Sequence, residues 1–140
     1  MRKLKKFLWR NRLCTTLNRA LCERYAEPTV RYTCPEKWFR NFEVCYHIST
    51  ERVTYDEAAK KCPSLAFGSK FFAPRDSIEN NFISGRLREE KINSVWIGIN
   101  DVDEEENFET EDEAKQTFFN WDNREPSDTF NKLIKNNDCV

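Results

Sequence analysis

The chain has 140 residues, enough for one domain with a modest core and a short appendage. Its formal net charge is −1, but the charge is unevenly spread: residues 1–31 carry nine Arg or Lys against Glu23 and Glu27, leaving the rest near about −8. An acidic body excludes a nucleic-acid-binding surface there, and no apolar run approaches the roughly 20 residues that span a bilayer.

The start of the chain is basic, as in a signal peptide, but it lacks the apolar middle. Phe7-Leu8-Trp9 is cut off at once by Arg10, Asn11 and Arg12. Two readings stand for residues 1–31: a linker or extension outside the folded module, or a basic amphipathic helix lying on a membrane surface. A boundary falls near Glu27-Pro28, where the basic composition ends.

From Tyr32 to Ile48, aromatic and β-branched residues alternate with polar ones, the pattern of strands. Thr54 followed by Asp56 and Glu57 predicts a capped helix start. Tyr55, Ala58, Ala59 and Cys62 share its inner face, and Pro63 is expected to stop it. A second helix is predicted from Asp76 or Ser77, with Ile78, Phe82, Ile83 and Leu87 as its buried stripe and Glu79 in the capping turn. Val95-Trp96-Ile97-Gly98-Ile99 reads as a fully buried strand, and Thr117–Trp121 as a short aromatic one. Between them, Asp101 to Glu113 holds nine carboxylates and no basic residue. The order of strands, two helices, a buried strand and long loops predicts an α+β domain.

Six cysteines are many for this length, no Cys-x-x-Cys knuckle occurs, and His47 is the single histidine. Disulfides in an oxidising, extracellular setting are therefore expected in place of zinc.

Six segments, in order, resemble the C-type lectin-like family in its long form. They are CPEKWFRNFEVCYHIS, TYDEAAKKC, RDSIENNFI, WIGI, FFNWDNREPS and DCV. The likeness covers residues 34–140 and implies the family's fold: two helices against small antiparallel sheets, a long loop region and disulfide staples. It divides the chain into an extension at 1–31 and a domain at 32–140. It also implies a Cys34–Cys45 bridge. Cys62 and Cys139 match the cysteines of the two core disulfides, whose partners lie further downstream in the family. By that reading both are left unpartnered and the last strands are missing. Cys14 and Cys22 match nothing in the domain: they pair with each other, link two chains, or stay free.

The resemblance implies calcium and a ligand at the long-loop face. Asp101, Glu105, Asp128 and Asp138 fall on auxiliary calcium positions; the alternative is a merely solvated acidic loop. An EF-hand reading of Asp101-x-Asp103-x-Glu105 fails for want of a glycine at Glu106 and a following helix. In the family, a Glu-Pro-Asn triplet with a cis proline holds the principal calcium and the hydroxyls of mannose-type sugars. Here the triplet is Glu125-Pro126-Ser127, with Asn137 in place of a family Glu, and the completing Asn-Asp pair is expected beyond Val140. Glu125, Ser127 and Asn137 are thus the candidate sugar and principal metal ligands. Ser127 and Asn137 weaken them, so binding to a protein without calcium is the competing expectation.

Nothing forms a catalytic constellation. His47 reads as a half-exposed strand residue, Glu109 and Asp112 lie in a charged loop lacking an apolar pocket, and three glycines are too few for a phosphate-binding loop.

Overall fold

The computed structural model describes residues 7–27, 33–127 and 138–140. Among the described residues, seven strands and two helices follow in the order β1 (Asn18–Tyr25), β2 (Phe39–Asn41), β3 (Val44–Val53), α1 (Tyr55–Leu65), β4 (Lys70–Phe71), α2 (Ser77–Glu89), β5 (Val95–Trp96), β6 (Ile99–Asn100) and β7 (Glu109–Thr110). Five strands form one sheet. β1 sits inside it, antiparallel to β3 on one edge and paired with β4 and β5 on the other. β6 and β7 form a separate antiparallel pair that opens the acidic loop.

β1 explains the two cores. Successive strand side chains face opposite ways. Leu21 therefore enters a cluster with Trp9, Tyr46, Phe72, Ile83, Leu87, Ile97, Ile99, Phe108 and Val140. Ala20 and Cys22 enter the other, with Tyr55, Ala58, Cys62, Phe71, Trp96 and Cys139. A strand covered on both faces shows a continuous buried run, here Ala20 to Glu23. The segment expected to lie outside the module thus supplies its most central strand.

The cysteines follow from that placement. Cys34 pairs with Cys45 as the resemblance implied. Cys62 and Cys139 are not left without partners: Cys22 bonds Cys62 and Cys14 bonds Cys139. The partners come from the N-terminal side: Cys22 lies on β1 and Cys14 shortly before it. Cys14 and Cys22 accordingly neither pair with each other nor remain available to link chains.

Local signals set the helices. Thr54 and Glu57 form a reciprocal capping box at the start of α1, whose buried residues are Tyr55, Ala58 and Cys62. Pro63 does not stop α1, which runs two residues further before Ala66 turns extended. Asp76 caps α2 by accepting from the Glu79 backbone N–H. The buried face of α2 differs from the apolar stripe. Ile78 is 71% exposed, while Glu79, Asn80 and Ser84 are buried beside Ile83 and Leu87. Polar partners favour that rotation: Tyr46 donates to Glu79 at 2.7 Å, and Trp9 Nε1 donates to Asn80 at 2.9 Å.

The apolar run at 95–99 splits into β5 and β6. Gly98 lies between them, where its N–H meets the Phe72 carbonyl at 2.6 Å and a Cβ would sit 2.8 Å from that of Phe71. Trp96 is an anchor, 1% exposed, with Nε1 donating to the carbonyls of Val53 and Thr16. Thr117–Trp121 is not a strand. It makes one parallel bridge, Trp9 with Trp121, and its rings pack edge-on around Trp9. His47 is half-buried on β3, tilted against Trp38.

Candidate functional site

The long loop leaves β6 at Asp101 and is pinned at several points. Tyr55 donates to Glu111 at 2.7 Å, and Asn100 donates to both. Gln116 Nε2 donates to the carbonyls of Pro74 and Phe118, both at 2.8 Å. Beneath the loop, Phe108 packs on Trp121 with ring centres 4.9 Å apart, fixing the end that carries residues 122–127.

Asp101 is the buried acid of this loop, 6% exposed. Its Oδ2 accepts from the Glu106 N–H at 3.0 Å, and its own N–H donates to the Asp138 carbonyl. Its Oδ1 is buried with no hydrogen-bond partner. Burial, with repulsion from Glu105 and Asp138, pushes its pKa up to about 6. An orphaned carboxylate oxygen with two further acids nearby suits a calcium ion in donor chemistry. Among the described residues, however, no three acidic, His or Cys side chains converge closely enough to hold a metal. Asp128, the fourth expected ligand, lies outside the described residues, as does Asn137.

The second half of the face is built on the N-terminal segment. Trp9 exchanges backbone hydrogen bonds with Asn120 and Asp122, Arg12 does so with Cys139, and Arg10 pairs with Asp122. This places Asn11 and Arg12 beside Glu125 and Ser127. The Glu125–Pro126 bond is cis. Glu125 Oε1 accepts from Arg12 Nη1 at 3.2 Å, and Oε2 is buried with no hydrogen-bond partner. Asn11, 1% exposed, accepts at Oδ1 from both the N–H and the hydroxyl of Ser127, each at 3.0 Å.

Glu125 and Ser127 are therefore brought together, and Asp101 stands near Glu105 and Asp138 in the other half. Asn11 and Arg12, which the sequence reading missed, stand against Ser127 and Glu125. One signal pointed to them: two unassigned cysteines, Cys14 and Cys22, matched in number two that lacked partners, Cys62 and Cys139. Among the described residues, the groups around Glu125 do not fit calcium as they stand. A guanidinium already pairs with Glu125, and the Asn11 oxygen is committed to Ser127.

Glu109 and Asp112 do not form an acid–base pair. Glu109 accepts from Asn107, and Asp112 is held below the usual carboxylate range by a hydrogen bond from Thr110.

The lectin C-type domain family matches residues 51–140. The human C-type mannose receptor 2 is 28% identical over 144 aligned residues, covering 94% of this chain and 9% of the receptor. The C-type lectin of Micrurus corallinus is 29% identical over 105 residues, covering 72% of this chain and 65% of that protein. Lectin BRA-3 of Megabalanus rosa is 28% identical, covering 82% and 67%. The chain thus spans about a tenth of the receptor's length. No solved structure shows significant similarity to it. With the family match running over more than half of the sequence and taking in both helices, the acidic loop and the Glu125–Pro126 bend, the chain belongs to the C-type lectin domain family.

Proposed function

We propose that this domain is an extracellular carbohydrate-recognition module that takes its ligand at the face formed by Glu125, Ser127 and the Asn11–Arg12 segment. The observation that carries the reading is Glu125: a carboxylate beside a cis proline, with one oxygen paired and the other without a hydrogen-bond partner. Around it lie the exposed Ser127 and the Arg12 side chain, 40% exposed. These groups offer the mixture of acceptors and donors that sugar hydroxyls require. The relatives named as a mannose receptor and as lectins support the same class of ligand, with mannose-type sugars the first to try.

Calcium belongs at Asp101, with Glu105 and Asp138 as neighbours; it would neutralise the buried acid and tie the acidic loop to the segment at Asp138–Cys139. Three disulfides and no free cysteine among the described residues support an oxidising, extracellular setting. Retention on immobilised mannose-type neoglycoprotein tests the reading. Glu125→Ala should abolish it with the fold intact, and unchanged retention would overturn the sugar assignment. The Arg12–Glu125 pair favours one other reading, a protein ligand bound without calcium, for which partner capture survives a chelator.

A further inference from the structure

We infer that the Arg12 guanidinium fills the principal cation position of the ligand face, so that Glu125 is neutralised by a side chain and not by calcium. The inference rests on the reading that Glu125 lies in the ligand face, and it concerns how that face is wired.

Calcium requires six to eight oxygens with accessible lone pairs. Among the described residues, the Asn11 oxygens beside Glu125 are already used, and only Glu125 Oε2 is left without a hydrogen bond. Asn11 Oδ1 accepts twice from Ser127, and the Asn11 carbonyl accepts from Arg12 Nη1 at 2.5 Å. The same nitrogen donates to Glu125 Oε1 at 3.2 Å, so one guanidinium bridges the Asn11 backbone carbonyl and the carboxylate. Arginine stays protonated across the accessible pH range and is weakly hydrated, which suits it to a half-buried pair. The Glu125 side chain is 11% exposed, so its charge needs a partner at this site. Arg12 is anchored for the role: its N–H donates to the Cys139 carbonyl at 2.7 Å, and Cys139 is disulfide-bonded to Cys14 two residues on. A divalent ion entering here meets a fixed positive charge and must break both contacts. Arg124, exposed one residue before Glu125, adds a second cation to the rim. A ligand at this face therefore meets hydrogen-bonding charges directly, without a bridging metal.

Calorimetric calcium titration of the full oxidised chain tests this through the number of ions bound. The wild-type chain and Glu125→Gln should bind the same number with the same Kd. Arg12→Asp should gain one ion, and Arg12→Asp/Glu125→Gln should lose that gain. Loss of an ion on Glu125→Gln in the wild-type background overturns the inference, as does a folded Arg12→Asp that gains none. If Arg12→Asp does not fold, the Glu125→Gln comparison alone decides. A wild-type chain that binds no calcium while Arg12→Asp binds one supports the inference and rejects the separate assignment of calcium to Asp101.

Discussion

Glu23 is the clearest place to test the energetics of the inserted strand. It lies on β1 with its side chain 2% exposed, 3.4 Å from Arg75 Nη1 and 3.8 Å from Lys70 Nζ. Two cations do not suffice to keep it ionised, because Arg75 is shared with Glu79, itself an acid that repels Glu23. Burial dominates and pushes the Glu23 pKa up to about 7 from an ordinary 4.5. In the unfolded chain the proton leaves near 4.5, so between those values the folded state holds more protons. Stability from this group is then fully present below about pH 4.5 and is lost as pH rises through 7, by about 3 kcal/mol in all. Glu23→Gln keeps the shape and removes the titration. Urea unfolding of both proteins, oxidised and with chelator present, should show wild type losing about 3 kcal/mol relative to the variant from pH 4.5 to pH 8. Asp101 titrates in part of that window but cancels in the difference. A pH-independent difference refutes the argument that Glu23 is held neutral by burial.

Other consequences are open to measurement. Gly98→Ala puts a methyl 2.8 Å from Phe71 Cβ, and overpacking of this kind should cost about 1–3 kcal/mol in urea unfolding. Removing Cys14–Cys139, which spans 125 residues, should cost about 5 kcal/mol against about 3 for Cys34–Cys45, which spans 11, on the loop-entropy account; equal losses in paired Cys→Ser variants count against it. If calcium binds at Asp101 it must displace a proton below pH 6, so affinity at pH 5 should be about tenfold weaker than at pH 7; calorimetry showing no such fall rejects Asp101 as a ligand.

Much of this domain was legible in the residues alone, because the deciding interactions are local. The capping box at Thr54 and Glu57, the Asp76 cap and the Cys34–Cys45 hairpin each lie within a dozen residues, and the resemblance over residues 34–140 set their order. The face that α2 buries was not legible in its apolar residues. Hydrogen bonds to Tyr46 and Trp9, distant in sequence, outweighed exposure of Ile78.

The largest difference concerns the N-terminal segment. Its basic composition describes how residues 1–31 meet water, but not whether Ala20 to Glu23 enter a sheet. Composition and local pattern therefore determined a disulfide-stapled α+β domain with an acidic loop. Only the tertiary structure decided that Cys14 and Cys22 complete the core and that Asn11 and Arg12 stand against Ser127 and Glu125. The physical reason is sequence distance: contacts between residues 40 to 125 positions apart are chosen by which strand fills the vacant edge of β3, and no periodicity or spacing within either segment records that choice.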